Sequence, residues 1–179
     1  MKKLLLLMLA LELVVCGCGG NKTTTTANTS TSGNWEAKLT GGTEQASLTN
    51  FVVSFSVTNS GPLDITGFSF INDGKCFATG VNSESETGSA SFTTASTGAV
   101  TGTLNLAING LNPAGNVLTL TGALTGTSNG TTTTTGTLTN GVVVGTWMLT
   151  GGAGDPSCSQ QSGSFVMCEN ASACTTTGS

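Results

Sequence analysis

Within residues 100–167 one small pattern returns five times, a glycine followed by Thr, Ser or Ala and then a large apolar residue. The copies are Gly102-Thr103-Leu104, Gly122-Ala123-Leu124, Gly136-Thr137-Leu138, Gly145-Thr146-Trp147 and Gly163-Ser164-Phe165. Side chains two apart on a strand share a face, so each glycine points the same way as the large residue beside it. Long helices need runs of Ala, Leu, Glu and Lys, which occur only in the first fifteen residues. With 8% charged residues, three prolines and 26 glycines in 179 residues, the chain lacks the charge of a disordered protein and is long enough for one domain with a core. An all-β body is expected.

In chain order, residues 34–40 alternate Trp35, Ala37 and Leu39 against Glu36, Lys38 and Thr40, a half-buried strand. Residues 48–58 alternate more strongly, with Phe51, Val53, Phe55 and Val57 on one face. Ser60-Gly61-Pro62 turns the chain. Leu63 and Ile65 share a parity that Phe68 and Phe70 break, which predicts a β-bulge at Gly67. Asn72-Asp73-Gly74 is a turn, and residues 84–93 form a more polar strand at an edge.

Turn chemistry then predicts register. Asn140-Gly141 is the strongest short hairpin signal and pairs Leu138 with Val143, Gly136 with Gly145 and Thr134 with Trp147. At Ser128-Asn129-Gly130 the apolar pattern selects a three-residue loop that pairs Leu120 with Leu138 and Gly122 with Gly136. Loops over 109–115 and 151–157 complete a row of five glycines (102, 122, 136, 145, 163) across five antiparallel strands, beside an apolar row of Leu104, Leu120, Leu138, Val143 and Phe165. A line without side chains lets a sheet crease and coil toward that face, which favours a closed or nearly closed barrel over a β-sandwich.

The opposite face of these strands reads as hydroxyl: Thr101, Thr103, Thr119, Thr121, Thr125, Thr133, Thr135, Thr137, Thr139 and Thr146. It is either a solvated surface built without charge or a binding surface for a polysaccharide or another repetitive neutral partner. Four cysteines beyond residue 18 suggest two disulfides in an oxidising setting. Cys158 and Cys168 bracket a strand and lie too far apart to bridge, so Cys76–Cys158 with Cys168–Cys174 is preferred of the two remaining connectivities. No His and no close Cys pair leave no metal site and no base for a Ser or Cys nucleophile. Glu84 and Glu86 share a strand face and admit a low-weight hydrolase reading, against the plainer one of exposed charges that blunt an edge. Eight acids against three lysines beyond Cys18, with no basic patch, exclude nucleic-acid binding. No cofactor is called for.

At the N-terminus, Lys2 and Lys3 precede a twelve-residue apolar run broken by Glu12, a secretory signal too short to span a bilayer permanently. Val15-Cys16-Gly17-Cys18 resembles the lipobox of bacterial lipoproteins, with residues 1–17 as signal peptide and Cys18 as the lipidated mature terminus. Cys16 fits less well, because Val15 stands where the family has a small residue. The resemblance implies export, a membrane anchor through N-terminal acyl chains, and outer-membrane sorting in a host that has that membrane. Residues 18–33 read as the lipidated cysteine and a flexible Thr/Ser-rich tether, and residues 34–179 as a single β domain.

Gly33-Asn34-Trp35 and Gly145-Thr146-Trp147 are similar to the Gly-x-Trp motif of lipocalins and avidins, up-and-down barrels that hold a ligand inside. The whole chain resembles uncharacterised Gly/Thr-rich bacterial lipoproteins. The expectation is an antiparallel up-and-down meander of eight to nine strands closed as a calycin-like barrel. Its function is expected to be a non-enzymatic binding module, either for a small apolar ligand lined by Trp35, Phe51, Phe55 and Trp147 or, as a structural or adhesive protein, through the threonine face.

Overall fold

The computed structural model describes residues 28–42, 50–71, 76–77, 83–111, 114–131 and 133–169. Nine strands succeed one another: β1 (Thr29–Gly41), β2 (Asn50–Thr58), β3 (Gly61–Pro62), β4 (Asp64–Phe70), β5 (Glu84–Thr94), β6 (Ala99–Leu111), β7 (Ala114–Ser128), β8 (Gly136–Thr150) and β9 (Gln161–Glu169). A 3-10 turn, Pro156–Cys158, lies between β8 and β9. The sheet order β3-β5-β6-β7-β8-β9-β1-β2-β4 is a meander that brings the last strand beside the first and curls into a nearly closed barrel.

Closure comes from one short segment. Gly61 and Pro62 pair with Ala90 and Ser89 of β5, the Leu63 N–H donates to the Gly88 carbonyl at 2.9 Å, and from Asp64 onward the chain pairs with β2 instead. The same few residues therefore touch both edges of the sheet. Leu63 packs over Gly88, where a Cβ would come within 2.7 Å of its Cδ1. The bulge expected at Gly67 is present: Ser54 faces Gly67 while Phe55 faces Ile65, so one extra residue sits between them. Ile65, Phe68 and Phe70 all pack on the core as a result.

Alternation fixes what lies inside. Phe51, Val53, Phe55 and Val57 of β2 are buried, as are Leu104, Leu106 and Ile108 of β6 and Leu118, Leu120 and Leu124 of β7. The five members of the expected apolar row are all buried too. They do not form one row.

The register differs because Asn140-Gly141 is not a hairpin. β8 runs straight through it, and the pairings Thr125 with Val142 and Thr127 with Thr139 leave Asn140 and Gly141 opposite a single residue of β7. This is a β-bulge with Asn140 left-handed at φ 54°. The chain reverses instead within 129–135, and Ser128 faces Leu138. Five expected strands are thus four, β6 to β9. Gly122 does pair with Gly145, but Gly102 faces Leu124, Gly163 faces Trp147, and Gly136 stands apart from the row. The glycines step diagonally, and Gly41 of β1 joins them opposite Gly163. Their physical role survives this change: a Cβ at Gly102 would collide with the Ser91 carbonyl and one at Gly163 with the Thr40 carbonyl. Neighbouring strands approach that closely only where the side chain is absent.

The barrel starts earlier than the composition suggests. β1 begins at Thr29, inside the segment read as tether, with Thr29 and Thr31 buried. Beyond Ser30, which pairs with Thr137 of β8, β1 has no described partner on that side until Trp35 meets Glu169 of β9.

Candidate functional site

All four aromatic residues expected to line the interior are core residues. Trp35 stacks on Phe55 with ring centroids 5.5 Å apart. Phe51 meets Phe68 at 5.2 Å and Phe70 edge-on at 6.1 Å, and Phe70 in turn meets Phe77 at 5.0 Å. Trp147 fills the space against Gly42 and donates its indole N–H to the Thr40 carbonyl at 3.0 Å. Trp35 is different. Its Nε1 is buried without a hydrogen-bond partner, as is Thr31 Oγ1.

Cys76 and Cys158 form a disulfide, the expected pairing, with Cα atoms 5.4 Å apart. Cys168 is disulfide-bonded as well. Its expected partner Cys174 lies outside the described residues, as do Cys16, Cys18 and the turn at Asn72-Asp73-Gly74. Asp155-Pro156 does act as turn chemistry: the Asp155 carboxylate accepts from the Ser157 N–H at 2.9 Å and the Ser157 hydroxyl at 2.7 Å.

Among the described residues, Glu84 and Glu86 lie on an edge, since β5 ahead of Gly88 is paired only with β6. They are not the exposed charges expected there. Both share the inward face of Ala90 and Phe92 and are half-buried, an arrangement that also discourages edge-to-edge pairing. Burial pushes the Glu86 carboxyl above its usual range, and the negative charge of Glu84 adds to the rise. Among the described residues, no group of three or more His, Cys, Asp or Glu converges to hold a metal.

The outer face carries the threonines, although Thr133 and Thr135 belong to the 129–135 turn rather than to a strand. Cross-strand pairs align Ser89, Asn105, Thr121, Thr146, Ser164 and Thr40 in one row over six strands. Neighbours in such a row stand about 4.8 Å apart. A second row, Thr87, Ala107 and Thr119, runs beside it on β5 to β7. Between the two rows the surface sinks into a concavity of about 360 Å³. Small Ala107 leaves room for it, and the exposed Ser89, Asn105 and Thr121 side chains surround it. Thr87, Ser89 and Asn105 were missed in the sequence, although their outward parity on β5 and β6 is legible there.

The hydroxyl coat is not uniform. Ala123, Val144 and Val166 face one another across β7, β8 and β9, and Val144 is 54% exposed. The chain matches no family model, no curated protein and no solved structure.

Proposed function

We propose that this chain is an exported, lipid-anchored, non-catalytic binding module that uses its outer hydroxyl face to hold a neutral, repetitive partner such as a polysaccharide. The observation that carries the reading is the concavity on β5 to β7, framed by the row through Ser89, Asn105 and Thr121 and the row through Thr87, Ala107 and Thr119. A row of uncharged donors and acceptors repeating every strand, about 4.8 Å, offers a polymer many equivalent hydrogen bonds and no charge to discriminate against it. Each bond exchanged against water is worth only about 1 kcal/mol, so binding depends on several acting together. Anchoring at Cys18 through several acyl chains would keep such a weak binder at the membrane surface, where repeated low-affinity contacts suffice. The interior reading is less favoured for Phe51, Phe55 and Trp147, whose rings are engaged in packing.

The test is retention on insoluble cellulose, chitin and starch by the full chain and by two variants. Thr121→Lys places a bulky charge in the concavity and should abolish retention. Thr137→Lys, on β8 outside it, should leave retention intact. Equal retention by both variants, or none by the wild type on any of the three polymers, would overturn the proposal.

A further inference from the structure

We infer that the barrel sits end-on upon its membrane, with the uncharged rim formed by residues 59–60, 95–98, 129–131 and 133–135 against the lipid headgroups and its other end turned away. The orientation depends on the anchor at Cys18 proposed above and goes further, naming the surface that meets the bilayer. Hydrogen bonds collect these loops at one end. The Asn59 N–H donates to the Thr29 carbonyl at 2.6 Å, and the Thr29 N–H donates to Asn59 Oδ1 at 3.1 Å. The Asn28 N–H donates to the Thr131 carbonyl at 3.3 Å, and the Asn28 carbonyl accepts from the Gly136 N–H at 2.9 Å. The Ser128 N–H donates to the Gly98 carbonyl at 2.8 Å, and the Ser60 hydroxyl accepts from the Phe92 N–H at 3.0 Å. The chain therefore enters the barrel between these loops.

Reach decides which end is held. About eleven residues lead from Cys18 to Thr29, a length with a coil dimension of about 18 Å and an upper limit of about 40 Å. β1 has 13 residues, so the wall is about 43 Å long along a strand and about 33 Å tall at the usual strand tilt. The near rim lies within the coil dimension. Seating the other end on the membrane would spend most of the upper limit on the height of the wall alone.

Charge points the same way. The rim residues are Asn, Ser, Ala, Thr and Gly, none of them ionisable. Among the described residues the carboxylate nearest the rim is Asp64, opposite Ser56 and about 7 Å of strand inside it. Glu84, at the start of β5, and Asp155, between β8 and β9, lie at the other end. A bilayer containing phosphatidylglycerol is negative and attracts each nearby Lys or Arg by about 1 kcal/mol, so it repels a carboxylate by a similar amount. The exposed hydroxyls and amides of Asn59, Thr97, Asn129 and Thr133 instead donate to phosphate oxygens and accept from ethanolamine ammonium groups. Height follows from register: about 23 Å of β7 separates Thr121 from Ser128, which sets the outer concavity about 18 Å above the rim. A polymer can therefore reach it while the barrel stays anchored.

The chain has two tryptophans, and they stand at different heights. Trp35 lies against Gly141, whereas Trp147, about 20 Å further along β8, packs on Gly42 and bonds Thr40. The acylated protein, labelled with nitrogen-15, is placed in nanodiscs of phosphatidylethanolamine and phosphatidylglycerol that include a lipid with a gadolinium chelate on its headgroup. Trp35→Phe assigns the two indole N–H signals. Relaxation by gadolinium falls with the sixth power of distance, so the Trp35 signal should relax at least about fivefold faster than that of Trp147 over this separation. Thr133→Glu combined with Thr135→Glu should shrink that ratio on these discs and leave it unchanged on phosphatidylcholine discs. An unchanged ratio on the anionic discs would overturn the contact between rim and headgroups. Equal relaxation at the two indoles, as for a barrel lying on its Val144 face, or faster relaxation at Trp147, would overturn the orientation while leaving the anchor in place. Intact mass separates the two readings: protein purified without acyl chains on Cys18 would overturn the anchor, and the orientation with it.

Discussion

Asn116 enters the barrel fully buried at the start of β7 and uses its amide four times. Its Nδ2 donates to the Cys76 carbonyl at 2.6 Å and the Ala153 carbonyl at 3.0 Å. Its Oδ1 accepts the N–H groups of Gly152 at 2.9 Å and Ala153 at 3.0 Å. One side chain thereby ties the segment carrying the Cys76–Cys158 disulfide to the loop after β8. Thr29 does the corresponding work at the opposite end, where its hydroxyl bonds Thr94 Oγ1 at 2.7 Å and Ser128 Oγ at 3.1 Å, joining β1 to strands across the barrel. Asn116→Ala strands several buried backbone groups at once, so it should cost about 2–4 kcal/mol, read as a lower urea midpoint at unchanged slope. Asn116→Asp should not rescue it, because the carboxylate keeps the acceptor, loses both donors and adds a buried charge. Full recovery in the aspartate variant would show that the donor bonds to Cys76 and Ala153 contribute little.

The same distinction between local and distant causes decides what the sequence discloses about each strand. The alternation of β2 and the bulge at Gly67 follow from parity, the Cys76–Cys158 pairing is the preferred of the two connectivities that spacing leaves open, and the structure has all three. Asn140-Gly141 misleads because a hairpin and a bulge make the same local demand, a left-handed residue that asparagine tolerates. The choice between them lies in the partners. A hairpin would set Trp147 against Thr134, whereas the continuous strand sets it between Leu120 and Gly163 in the core. The start of β1 carries no apolar pattern to read: Thr29 is buried with its hydroxyl bonded to Thr94 and Ser128, and Thr31 is buried with its hydroxyl unpartnered. Of the candidate sites, the outer threonines were legible as a face, whereas Asn105 and Ala107 become a concavity only once β5, β6 and β7 are side by side. If the bulge is what Asn140 provides, Asn140→Gly should be neutral within about 0.5 kcal/mol and Asn140→Val should destabilise by about 1–3 kcal/mol, since a β-branched residue resists positive φ. Thermal melts of the two variants measure this, and equal melts would mean that the bulge carries no backbone strain to relieve.

For the molecule as a whole, scarcity of charge makes the response to pH unusual. Most proteins lose stability in acid because carboxylates held below their usual pKa by native partners must take up protons. Two half-buried carboxyls among the described residues, Glu86 and Glu169, move the other way: burial raises both, and the hydrogen bond from the Gly141 N–H only partly offsets it at Glu169. A carboxyl whose folded pKa lies above its unfolded value binds its proton more tightly in the barrel than in the open chain. Its contribution is fully present below the unfolded value and is lost as pH rises through the folded one. The net charge of −4 at neutral pH also shrinks in acid, which relieves self-repulsion. No histidine is present to charge near neutrality and oppose this. The barrel should therefore melt at a higher temperature near about pH 4 than near about pH 7. Glu86→Gln and Glu169→Gln should each flatten that difference by raising the neutral-pH melting temperature, since an amide accepts the same burial without a proton to lose. A wild-type melting temperature that instead falls steadily from neutral to acid would place the controlling carboxylates elsewhere in the chain, held in ionised form by contacts stronger than the burial of these two.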